Sequence, residues 1–348
     1  MPKSSLLMFS AGLLVVGSVN AQWTDARDPA VDCPPGIMLT DGRFNAALQY
    51  YPAWMLLEPA LEFAEFTPEE LDAMDRGELP EAYAHVLESS QEQIADLIEA
   101  TRLTRCDFGS QYEKGIGVLL PQLGVMRNSA KLLVNDARRL RGSDMDAVAQ
   151  RLAATIRLGE HASQSHTIIG SLVGVAIAEL ARVETQKLLD ADALSAAQAR
   201  VIDEALGRVL TEDPFHSLDS IRTERTMMTA WIKNEFTGEH AGRDLAKLLQ
   251  FENDAAAPEH RKLGRMNGEQ VALLTDETSR VYDELIEAWQ AEDSIGEMRK
   301  IEVKLEEGQY GLVTKLLLPA LGSYRKKTIE AEQNLQKLRE NLRAVPEG

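Results

Sequence analysis

A chain of 348 residues, 44% of them hydrophobic, carries enough apolar material for a buried core and is not a disordered segment. Its formal net charge of -18 argues against nucleic acid and anionic lipid surfaces, which are held by neutralising phosphates with Lys and Arg. Aromatic residues are sparse at 5% while Ala, Leu, Glu and Arg are plentiful, which favours helix over sheet.

Residues 1–21 read as a secretory signal peptide. Lys3 supplies a positive start, and Leu6 to Gly17 is an apolar run too short to span a bilayer. Val19-Asn20-Ala21 offers small residues where a signal peptidase reads, with Gln22 as the new N-terminus. Removing this segment with its one charge, Lys3, takes the net charge from -18 to -19. No cysteine follows the cleavage point, which argues against a lipoprotein. The expectation is a periplasmic or secreted protein with no membrane insertion after cleavage. Residues 22–42, rich in Asp, Pro and Gly, read as an extended arm. The cysteines, Cys33 and Cys106, are an even count in an oxidising compartment, which predicts one disulfide. The alternative is a reactive thiol at Cys106, its pKa lowered by Arg102 and Arg105.

Residues 43–252 read as a helical domain. Asn45 opens an apolar helix to about Phe63, with Pro52 as a kink. Thr67-Pro68-Glu69-Glu70 is a capping box with Pro at the first helical position, and its short helix stops at Gly77. Pro80 begins a helix to about Leu103. Arg105 to Gly115 breaks the helical period and reads as an ordered polar loop. Beyond Pro121, Leu123, Met126, Ala130, Leu133, Ala137 and Leu140 recur at spacings of three and four and build one apolar face. Gly142 ends that helix and Ser143 caps the next, whose buried stripe is Val148, Leu152 and Ile156. Thr167 to Ala181 reads as the central buried helix, with Gly170, Gly174 and Ala178 forming a smooth face for a close neighbour. Ser195 and Gln198 form another capping box, followed by Ile202, Leu206 and Val209. A further helix runs from Asp213-Pro214 to about Phe236, and a short one lies around Leu245 to Phe251.

Residues 253–268 read as a loop or hinge. The helices of 269–348 follow, packing on the same domain or forming a small subdomain. Val271, Leu274, Thr278, Val281 and Leu285 mark one, and Ile295, Met298, Ile301 and Leu305 another. The last carries Leu321, Tyr324, Thr328, Ala331, Leu335, Leu338 and Leu342 at heptad spacing, the pattern of a helix folded back on its own domain or of a dimerisation seam. Nothing alternates with period two for long. The expected fold is all-α, with paired antiparallel helices arranged as a tetratricopeptide-like solenoid or an irregular helical bundle.

Three segments in order carry a resemblance. They are Asn45 to Tyr51; Arg105 to Gly109 with Tyr112, Gly115 and Leu119-Leu120-Pro121; and Leu172 to Ile177. Over about residues 45–189 the chain resembles an uncharacterised family of exported, all-helical bacterial proteins with no assigned activity. That family often has His after the Leu-Leu-Pro, where this chain has Gln122. The resemblance implies a fold and an exported location, and no chemistry.

Glu88-Ser89 superficially matches the Glu-Ser pair of lytic transglycosylases, but the rest of that signature is missing. Ser323-Tyr324-Arg325-Lys326 matches the Ser-x-x-Lys of penicillin-binding enzymes without its partner motifs. The histidines His85, His161, His166, His216, His240 and His260 form no local ligand pair, so a metal site would need long-range assembly. No catalytic residue, metal ligand or cofactor is assigned. The polar loop is the place to look for a ligand, with Asp107, Tyr112 and Glu113 as candidates; capping by Asp107 and packing by Tyr112 is the plainer account. The expected function is a non-enzymatic binding or scaffold protein of the cell envelope, presenting a helical surface to a protein or peptide partner. The alternatives are a peptidoglycan-active enzyme using a glutamic acid such as Glu88, and a small-ligand sensor.

Overall fold

The computed structural model describes residues 45–62, 67–75, 78–249, 258–310, 314, 318 and 321–347. The expected signal peptide, the arm and Cys33 lie outside these described residues. The helices are α1 (Ala46–Glu62), α2 (Pro68–Asp75), α3 (Glu81–Ser89), α4 (Gln91–Arg102), α5 (Pro121–Leu140), α6 (Met145–Ser163), α7 (Ile168–Asp190), α8 (Ala196–Val209), α9 (Ser217–Glu235), α10 (Ala241–Leu248), α11 (Pro258–Leu263), α12 (Gly268–Gln290), α13 (Ser294–Glu306) and α14 (Leu321–Arg343). Short 3-10 turns span Tyr112–Gly117 and Pro214–His216. Among the described residues the only extended pairing is one isolated bridge, Asn45 to Arg105. The fold is all-α, as expected.

Local chemistry sets many of the boundaries. Thr67 and Glu70 exchange the two bonds of a capping box, at 2.8 and 3.2 Å. Ser195 and Gln198 do the same for α8, and Asn267 and Gln270 for α12. Some boundaries differ from expectation. The single helix expected from Pro80 to Leu103 is two, parted at Ser90, whose φ of -103° and ψ of 18° leave the helical region. The cap of α6 is Asp144, whose carboxylate accepts from the Ala147 N–H at 2.9 Å, while Ser143 turns back to the Leu140 carbonyl. The stretch expected as a loop over 253–268 contains α11, whose following turn places the Met266 carbonyl to accept from the Gly242 N–H.

At the centre α6 packs on α7, and the small-residue face of α7 is what permits it. A Cβ on Gly174 would meet the Gly159 carbonyl, the Ser163 side chain and the Phe215 ring. Around this pair α5 and α4 lie against α6, and α8 packs on α6 as well. Tyr50, Leu97, Met126, Leu133 and Leu158 fill the layer between α1, α4, α5 and α6. Ile221, Tyr282, Leu285, Met298 and Tyr324 fill a second layer, and Trp231, Leu245, Leu263 and Val271 a third.

The heptad face of α14 is covered within the chain. Ala331, Leu335, Leu338 and Leu342 are buried with Ile202, Leu206 and Val209 of α8 and Ala181 and Leu188 of α7. A helix from the end of the chain thus packs on α7 and α8, a contact that lies outside the neighbour-to-neighbour stacking of a repeat array. Among the described residues, no helix is long and apolar enough to cross a membrane.

Candidate metal centre

Two tight turns on neighbouring elements meet on one side of α7. The first joins α6 to α7. His166 sits there at φ 48°, in the left-handed region that a residue with a Cβ rarely occupies. Its neighbours are pinned: the Tyr112 hydroxyl donates to the Ser165 carbonyl at 2.6 Å, and Thr167 caps α7 by accepting from the Gly170 N–H at 3.0 Å. The buried carboxyl of Glu224 accepts from the Ile168 N–H at 2.9 Å.

The second turn joins α8 to α9. Asp213 accepts from the N–H groups of Leu218 and Asp219, at 2.8 and 3.0 Å, and so fastens the start of α9. Between cap and helix, Phe215 and His216 are both left-handed, at φ 57° and 48°. Phe215 is buried against the bare Gly174, which holds the turn in its strained shape. The Ser171 and Ser217 hydroxyls, 3.1 Å apart, tie α7 to α9 beside it.

The result is a convergence of His166, His216 and Asp219. One donor atom from each lies within 4.8 Å of the others. The two imidazole rings meet edge to face with centroids 5.3 Å apart. Nδ1 of His166 is 2.6 Å from Oδ2 of Asp219. The His166 side chain holds the Asp219 carboxyl below its usual range, keeping it ionised. Burial, and then the neighbouring His166, push the His216 imidazole down, toward the neutral form that ligates metals. Donors on one transition-metal ion, bound at about 2.0–2.1 Å, lie about 3–3.4 Å apart. Left-handed backbone at residues other than glycine costs about 1–3 kcal/mol each and collects at functional sites.

The residues singled out from sequence are placed differently. Asp107 is spent locally, accepting from the Gly109 N–H at 2.8 Å and facing Arg105 at 3.1 Å. Its backbone is clamped by the Asn45 side chain, at 2.8 and 2.9 Å. Tyr112 points inward to the His166 turn, and burial pushes its hydroxyl up to about 12. Glu113 is exposed on the 3-10 turn. Glu88 is exposed on α3, without the apolar pocket that a catalytic acid needs. Cys106 is buried, and its partner in the expected disulfide lies outside the described residues. The reactive-thiol alternative fails. Burial pushes the Cys106 thiol up, while Arg102 and Arg105 turn to Glu99 and Asp107.

His166 and His216 lie fifty positions apart in the sequence, beyond any local ligand spacing. The local signal beside them is the start of a helix, at Thr167 and near Asp213-Pro214, and it carries no hint that the two meet. Comparison with protein-family models, with curated proteins and with solved structures finds no match for this chain.

Proposed function

We propose that the chain is an exported metal-binding protein whose His166, His216 and Asp219 hold one divalent transition-metal ion. One observation carries this reading: two separate left-handed turns, each fixed by its own caps and anchors, aim their histidines at one carboxylate. A set of two imidazoles and one carboxylate suits Zn, Fe, Cu or Ni better than Mg or Ca. Three protein ligands leave coordination positions open for water or a substrate, as in catalytic and not structural metal sites. The export expected from residues 1–21 places the site in the cell envelope. Titration with Co2+, followed by its visible absorption, tests the donor set. The expected result is a saturating spectrum at one equivalent that His216→Ala abolishes. A spectrum unchanged from aqueous Co2+, or one retained in His216→Ala, overturns the proposal.

A second reading, a surface for a protein or peptide partner in the envelope, is favoured by α1. Leu48, Tyr51 and Met55 share one flank of that helix and are 53%, 47% and 73% exposed. A photocrosslinker placed at Met55 is expected to capture one reproducible envelope protein, lost when Leu48 is changed to Asp. Equal capture in that variant contradicts the reading.

A further inference from the structure

A cavity of about 450 Å³ opens where α4, α6 and α8 meet, away from the histidine cluster. Three arginines line it: Arg102 from α4, Arg157 from α6 and Arg208 from α8. Three guanidinium groups around one cavity are unusual in a chain of net charge -18.

Two of the three are already committed. Arg208 donates to the Leu103 carbonyl at 2.8 Å and the Thr101 carbonyl at 3.1 Å, closing the end of α4, and lies 2.6 Å from Glu160. Arg102 pairs with Glu99 at 2.9 Å. Arg157 has no hydrogen bond or ion pair among the described residues. It is partly buried; burial and then the charges of Arg208 and Arg102 act against its own, and Glu204 and Glu160 offset them only in part. Four other arginines have a carboxylate: Arg138 and Arg141 face Glu184, and Arg139 and Arg151 face Asp136. A partly desolvated guanidinium that makes no hydrogen bond or ion pair, with two more cations beside it, can receive an oxyanion from the cavity.

We propose that this cavity binds a small ligand through an oxyanion group, carboxylate or phosphate, seated on the Arg157 guanidinium. The planar fork of Arg matches either group with two parallel N–H donors. Ile98 supplies an apolar wall, and Gln150 can donate to or accept from the ligand. Glu204, also in the lining, disfavours a second negative charge and favours a donor, hydroxyl or ammonium, beside the oxyanion.

The test is calorimetric titration of the purified full-length protein with inorganic phosphate and, separately, with glycine, against sodium chloride at matched ionic strength. Saturable binding of phosphate alone assigns a phosphate ligand, and of glycine alone a carboxylate one. Arg157→Gln is expected to weaken the bound probe by about tenfold or more, the loss of one charge-assisted contact. Glu204→Gln is expected to tighten phosphate, and it keeps the proposal testable should Arg157→Gln fail to fold. No saturable binding of either probe beyond that of chloride overturns the proposal. So does equal affinity in a folded Arg157→Gln, or no change for phosphate in Glu204→Gln.

Discussion

His161 and Glu224 are buried groups whose pH signatures run in opposite directions. His161 is 1% exposed, with Nδ1 2.7 Å from the Tyr50 hydroxyl and Nε2 2.8 Å from the Leu103 carbonyl. A carbonyl only accepts, so Nε2 carries the proton and Nδ1 accepts from Tyr50. Burial lowers this imidazole from 6.5 to about 4. Between those values the unfolded chain binds the proton and the folded one does not, so stability is lost as pH falls. Glu224 is raised by burial from 4.5 to about 7. Here the folded chain keeps the proton that the unfolded chain has released, so stability is lost as pH rises through that window. The ceiling for each is about 3 kcal/mol. Glu224→Gln keeps an acceptor for the Ile168 N–H and removes the ionisation. In urea unfolding at pH 5 and pH 8, the variant is expected to gain on the wild type by about 2–3 kcal/mol at the higher pH. Parallel profiles would show Glu224 to be solvated as a carboxylate.

At the scale of the helix, the sequence was legible wherever the signal is local. The capping boxes at Thr67 and Ser195 and the apolar stripes of α5 and α6 stand where their spacing put them. The cap of α6 was misplaced by one residue because Ser143 and Asp144 both suit the position, and only backbone direction chooses between them. Asp144→Ala is expected to cost about 1 kcal/mol and Ser143→Ala less than half of that, measured by urea unfolding. Equal costs would contradict the assignment. The split at Ser90 carried no Gly or Pro to announce it. Gly174 was read as a packing position, and its second duty, leaving room for Phe215 and so for the His216 turn, needed the fold to be seen. Gly174→Val is therefore expected to cost about 1–3 kcal/mol through overpacking and also to weaken metal binding at a site it does not touch. Undiminished metal affinity in a folded variant would uncouple Gly174 from the turn.

At the scale of the whole molecule, contacts gather residues 42–348 into one compact unit. The helix α14 closes it by covering Leu206 and Ile202. A chain ending at residue 320 is expected to lose its cooperative thermal transition, because that apolar face of α8 would be bared to water. Retention of the full-length melting temperature would show α14 to be dispensable. The heptad spacing of α14 announced a buried face but not its partner, since a helix packed on its own chain and one packed on a second copy share the same pattern. The candidate metal centre was hidden for a stronger reason. Its two histidines come from turns fifty positions apart and its carboxylate from the first turn of α9, and their approach depends on the α6–α7 crossing and on a phenylalanine sunk beside a glycine. The loop around Asp107 looked like the site because its polar residues cluster in sequence, yet only Tyr112 reaches the histidine turn, and it does so as an anchor.

The most direct measurement is a calorimetric titration of Zn2+ into the full-length protein stripped of metal, repeated with His166→Ala and with Asp219→Asn. One ion per chain is expected in the wild type, with affinity reduced at least about tenfold in each variant while its thermal transition persists. No stoichiometric binding by the wild type, or wild-type affinity in both variants, would contradict the proposed metal centre.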